Sequence, residues 1–193
     1  MDSTELLITA AITVLLFATG IAIYLQTKAR DERLARQAEK RGGEFRKGGL
    51  FRNPELRIPL KDVAVVIRTI PGSKHSPPKT IAKVELDSPR LPAVRLLRNG
   101  LWQKALAAFS QERLLSSDEE FDNKWVVQAD DPFIIHKLAT AELKSRLEER
   151  VLRSLDIRLQ PQEATFTIFA IPSDDDGYDH FIDTVMLVLN KFL

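Results

Sequence analysis

The chain has 193 residues, 44% of them hydrophobic and 28% charged, which suits one globular domain with an appendage and is too apolar for a disordered chain. It contains no cysteine, so disulfides, thiol catalysis and thiolate metal sites are excluded. The net charge of +1 hides an asymmetry: residues 1–27 carry −2, residues 28–52 carry +5 and the remainder carries −2, so the globular part lacks the basic face that nucleic-acid binding requires.

Leu6 to Leu25 reads LLITAAITVLLFATGIAIYL, twenty residues without a charge. As a helix this stretch covers roughly 30 Å, the thickness of the hydrocarbon layer. Its start is acidic and its apolar core is long, which argues against a cleaved signal and for a permanent single-pass anchor. Tyr24 sits at the far end, where an amphipathic ring favours the interface. Gly20 has no glycine four residues away, so there is no GxxxG dimer face. The basic flank follows the span, and the positive-inside rule then places a short N-terminus outside and the C-terminal domain in the cytoplasm of a cell membrane.

The next stretch, KARDERLARQAEKR (Lys28–Arg41), continues the helix into water until Gly42 and Gly43 end it. It reads mainly as a stop-transfer and topology signal. Its alternative role is attraction of anionic lipid headgroups at Arg33, Arg36, Lys40 and Arg41, worth roughly 1 kcal/mol per basic residue near the surface. The segmentation is an anchor over residues 1–27, a basic juxtamembrane helix over 28–42 and a globular domain over 43–193.

Gly43–Gly49 is a hinge or a first short hairpin. It lacks the Lys-Ser/Thr pair of a phosphate loop. Val63–Ile70 has the look of a buried strand, Pro77-Pro78 marks a loop, and Thr80–Leu86 alternates with Ala82, Val84 and Leu86 on one face. Ala93–Leu97 is a further strand closed by Asn99-Gly100. Leu101–Phe109 switches to helical spacing.

The stretch SSDEEFDNKWVVQADDP holds six carboxylates: Asp118, Glu119, Glu120, Asp122, Asp130 and Asp131. Phe121, Trp125, Val127 and Ala129 fall on alternate positions, so the reading is one strand with one buried face and acidic ends too far apart to share a metal. Asp122 follows the buried Phe121 and is placed to bond a neighbouring loop. Asp131-Pro132 starts a short helix with Phe133, Ile134 and Leu138 as apolar members. Thr140 caps a second helix, Ala141 to about Arg153, with Leu143, Leu147 and Val151 inside and Glu142–Arg146 and Glu149–Arg153 as exposed pairs. Leu155–Leu159 and Thr165–Ile171 form a hairpin. A last helix, Tyr178–Leu193, buries Ile182, Val185, Met186, Leu189 and Phe192. The fold class is α+β: an N-terminal transmembrane helix, then a mainly antiparallel sheet with helices packed on one face.

SDDDGYD (Ser173–Asp179) fails the calcium-loop pattern, since Pro172 falls on the first ligand position and Asp183 on the twelfth. His75, His136 and His180 lack metal-site spacing. No catalytic, cofactor-binding or metal-binding residue is assigned, and no cofactor is expected.

DEEFDNKWVVQADDPFIIHKLATAELKSRLEE resembles a group of bacterial membrane-anchored proteins that carry a domain of unknown function. The matching positions are Phe121, Asp122, Val126, Val127, Asp131, Pro132, Leu138, Thr140 and Glu142, together with AEKRGGEF and the terminal helix. The resemblance implies a membrane protein and a fold, and supplies no catalytic residue. The expected function is that of a membrane-tethered cytosolic domain, non-enzymatic, binding or organising a protein partner. The rival expectations are a membrane-bound hydrolase built on Asp122, His136 or Asp174–Asp176, and a module that senses anionic lipid.

Overall fold

A computed structural model describes residues 3–49, 52–100 and 113–193. The helix expected at Leu101–Phe109 lies outside the described residues. Helix α1, Ser3–Lys40, runs unbroken from the apolar stretch through the basic one, because neither contains a residue that stops a helix. It ends where Gly42 takes φ +63°, the left-handed conformation glycine adopts without strain. Gly43 is also required: a Cβ there would come within 2.3 Å of the Arg57 carbonyl oxygen, where the chain enters the sheet.

Among the described residues the sheet has nine antiparallel strands: β1 (Glu44–Arg46), β2 (Glu55–Leu60), β3 (Val63–Ile70), β4 (Lys79–Glu85), β5 (Val94–Arg98), β6 (Arg113–Leu114), β7 (Trp125–Ala129), β8 (Asp156–Gln160) and β9 (Glu163–Ile168). Their spatial order is β1-β2-β3-β4-β9-β8-β5-β7-β6. One cross-strand row, Leu56–Ile67–Ala82–Phe166–Ile157–Leu96–Val127, crosses seven strands and is buried throughout. Side chains two residues apart share a face, so this row and its neighbours form the apolar side of the sheet.

That side is covered by α3 (Ile134–Leu138), α4 (Ala141–Leu147), a 3-10 turn (Arg150–Ser154) and α5 (Asp175–Asn190), whose buried side chains join the same core cluster. The last turns of α1 join it too, through Leu34 and Ala38. The α+β architecture read from the sequence is the one observed.

Several local expectations need correction. Glu119–Lys124 is a helix, α2, not the first half of a strand. Asp118 caps it by accepting from the Phe121 amide at 3.1 Å, and its first turn is acidic, which suits a helix N-terminus. The strand that follows has five residues and is buried on both faces. By contrast β3 is buried on one face only, at Val65, Ile67 and Thr69. Asn99 and Gly100 are helical. Asp131 does not cap the helix, which begins at Ile134 with Phe133 at its N-cap; it closes the turn before it, accepting from the Phe133 amide at 2.9 Å, while Phe133 itself is 74% exposed and Ile135 takes the inner position. Helix α4 stops at Leu147, and the 3-10 turn after it buries Leu152 instead of Val151. Helix α5 begins three residues earlier than expected and buries Tyr178, Phe181 and Val188 as well as Ile182, Val185 and Leu189.

Tyr178 is fully buried, and its hydroxyl has no hydrogen-bond partner among the described residues. Burial pushes the phenol well above its ordinary range. Tyr178→Phe removes a desolvated hydroxyl that returns no bond, so we expect a change between zero and about 1 kcal/mol of added stability in denaturant unfolding. A loss of stability would show that the hydroxyl is partnered after all.

Candidate membrane-proximal interface

From Ala11 to Lys28 α1 is exposed, with Ile12, Leu15, Phe17, Ile21 and Leu25 among its bare apolar residues, and it is first partly covered at Ala29. The helix is long and apolar enough to cross a membrane. Only three residues lie between the last apolar side chain, Leu25, and the first contact with the domain at Ala29, an offset of about 6 Å along the helix. The domain therefore begins directly at the point where α1 leaves its apolar stretch.

The basic stretch is a structural member of the domain. Leu34 is 0% exposed and Ala38 is buried, while Asp31 and Gln37 are buried polar residues on the same side. The outer residues grip α5. The Arg36 guanidinium donates to both carboxylate oxygens of Asp175, at 2.9 to 3.2 Å. Lys40 reaches Asp179 at 2.8 Å, and Arg41 bonds both Asp179 at 2.6 Å and Asp183 at 2.7 Å. Residue numbers rise together on the two helices, so they run parallel. Three of the four residues expected to attract lipid headgroups, Arg36, Lys40 and Arg41, are thus engaged within the chain. Arg33 is half-buried and has no carboxylate partner among the described residues.

The acidic half of this clasp, Asp175, Asp179 and Asp183, escaped the sequence reading. A signal for it exists: the three recur every four residues and so share one face of α5, and Arg36 and Lys40 have the same spacing on α1.

Burial raises the Asp179 carboxyl, but hydrogen bonds from Lys40, Gln37 and Arg41 outweigh it and hold the group below its ordinary value. A carboxyl depressed in the folded state contributes stability above its unfolded value, and that contribution is lost as pH falls through the folded one. The stability gap between the native chain and Asp179→Asn should therefore be constant from neutral pH to about 5, and close below about pH 4. A gap unchanged in strong acid would contradict this.

The second surface is the face of the sheet opposite the core. The row Arg57–Val66–Lys83–Thr165–Arg158 crosses five strands, beside Glu55–Arg68–Ile81–Thr167–Asp156. Its charges pair with one another: Glu55 with Arg57 and Arg68, Lys83 with Glu85 and Glu163, Arg158 with Asp156. Burial raises the Glu55 carboxyl, but the two arginines hold it below its ordinary value. Partly exposed Val66, Ile70 and Ile81 floor a hollow of about 410 Å³ rimmed by Arg57, Arg68 and Lys83. At β5 and β7 the same face becomes buried, at Arg95, Leu97, Val126 and Gln128.

The residues considered for hydrolysis do not converge. Asp122 bonds a neighbouring loop as expected, accepting from the Ser116 amide and hydroxyl at 3.0 and 2.8 Å. His136 lies exposed on α3. Asp174 caps α5 through the Gly177 amide at 2.8 Å, and Asp175 belongs to the clasp. Asp174 and Asp176 do line a cleft of about 630 Å³ with His180, Glu149 and Ser154, but the Ser154 hydroxyl accepts from the Phe169 amide. His75 is exposed in its loop. No group of three His, Asp or Glu side chains able to hold a metal occurs among the described residues.

No family model matches the chain, and no curated protein matches it. Among solved structures, it is similar to the crystal structure of the mycobacterial trehalose monomycolate transport factor A, TtfA, with a TM-score of 0.52 and 12% sequence identity over 85% of this chain and 96% of that one. At that identity the likeness establishes a shared fold.

Proposed function

We propose that the protein is a membrane-tethered, non-enzymatic binding domain that holds a protein partner at the membrane surface, with the domain in the cytoplasm. The observation that carries this reading is the unbroken helix α1, whose outer part is bare and apolar and whose inner part is core. A domain joined in this way keeps a set height and orientation over the bilayer, which suits a component of a membrane assembly more than a freely diffusing catalyst. The open sheet face offers the partner a mixed surface of partly exposed aliphatic side chains and paired charges. The fold-mate TtfA is described as a transport factor, which supports a role in a membrane assembly. Cytoplasmic placement rests on the basic residues that follow the span.

A photocrosslinking residue placed at Val66 or Thr165 in native membranes tests the reading. It should give one discrete protein adduct that is lost on Lys83→Glu and is absent when the same residue replaces His75. Diffuse adducts, or the same pattern from all three positions, would contradict it.

A further inference from the structure

We propose that the cleft where α1 leaves the bilayer binds one anionic phospholipid, its phosphate paired with Arg33 and the start of its acyl chain lying against Ile23. The cleft has a volume of about 690 Å³, and its walls include Ile23, Arg30 and Arg33 of α1 and Pro71, Ile171 and Ser173 of the domain. Ile23 belongs to the apolar stretch and is exposed, whereas Arg33 lies nearly three turns further on, beside the domain. The cleft thus spans the boundary between hydrocarbon and headgroup, with an apolar wall on one side and a cation on the other.

The charge pattern identifies the ligand class. Arg30 is bonded to Asp31 at 3.1 Å, Lys28 lies near Glu32, and Arg36, Lys40 and Arg41 are held by α5. Arg33 alone among these basic residues is half-buried without a carboxylate among the described residues. A partly desolvated guanidinium gains from an anion, and its planar fork matches phosphate. By sequence alone, Arg33, Arg36, Lys40 and Arg41 are equivalent candidates for lipid attraction. The structure narrows it to one of them and adds an apolar wall, which turns a diffuse attraction into a site for a single molecule.

The test uses the full chain, purified in neutral detergent and offered phosphatidylglycerol or phosphatidylcholine, with bound lipid counted by native mass spectrometry. One phosphatidylglycerol should be retained in preference to phosphatidylcholine. Arg33→Gln should lower that retention about tenfold, the loss expected for one charge-assisted pair, while Arg33→Lys keeps most of it. Arg36→Gln, which alters a residue already held by Asp175, should leave retention unchanged. Equal retention by native chain and Arg33→Gln would overturn the proposal. So would displacement of the lipid by millimolar inorganic phosphate, which would make this a site for free phosphate. Neither result bears on the protein partner at the sheet face, which the crosslinking experiment addresses separately.

Discussion

Leu34→Ala is expected to destabilise the folded domain by about 3 kcal/mol in denaturant unfolding of the full chain, the range measured for fully buried leucines. Leu34 precedes Gly43, where the sequence reading begins the globular domain, yet it is 0% exposed and belongs to the core cluster. Were the basic stretch a solvated spacer, the same substitution would cost no more than about 0.5 kcal/mol, as surface changes do. The two outcomes are well separated. A chain that begins at Gly43 should suffer more than the point variant, because it loses Leu34 and Ala38 together and leaves Asp175 and Asp179 without the bases that face them. A chain that begins at Lys28 keeps all of these contacts and should unfold at the native midpoint.

Asp156→Ala is expected to cost about 3–5 kcal/mol. Asp156 on β8 is 7% exposed and accepts from Arg95 on β5, which is 4% exposed, at 3.1 Å. Arg158 donates to the same carboxylate at 2.9 Å. Removing the carboxylate takes from the buried Arg95 guanidinium its counter-charge on β8 and from Arg158 the acceptor it shares, and the desolvation that this bond offsets dominates the loss. The pair itself need not stabilise the fold. Replacing both groups with apolar residues of similar size, Arg95→Met with Asp156→Leu, removes the buried cation together with the Asp156 carboxylate and should restore part of the stability. A double variant as unstable as Asp156→Ala would show that the pair is needed for its bonds and not merely balanced.

The parts of the fold legible in the sequence are those where one local pattern dominates. The charge-free run gave α1, Gly42-Gly43 gave its end, and strict alternation gave the faces of β4 and the hairpin β8–β9. Where the pattern was ambiguous, tertiary packing decided. Phe121 and Trp125 are four apart, which places them on one side of either a helix or a strand. The capping pattern of Asp118 followed by Glu119 and Glu120 was the available signal for the helix. No residue near Glu149 marks a helix end. The chain turns there because the 3-10 segment brings Leu152 and Leu155 into the core. The clasp between α1 and α5 pairs residues about 139 positions apart, a distance over which a reading made segment by segment sees only two solvated charged faces. The open sheet face was invisible for the same reason, since its rows exist only once β2, β3, β4, β9 and β8 are side by side.

The apolar part of α1 and the domain form one rigid piece, because the same unbroken helix is bare at one end and core at the other. Because the chain has no cysteine, spin labels can be introduced at Gln26→Cys and Glu85→Cys without removing any native residue that would compete. The distance distribution between them, measured on the full chain in lipid nanodiscs, should be a single narrow peak that broadens when Arg36 and Arg41 are both replaced by Gln. A broad distribution in the native chain would mean that the domain swings on its anchor, and would contradict the account.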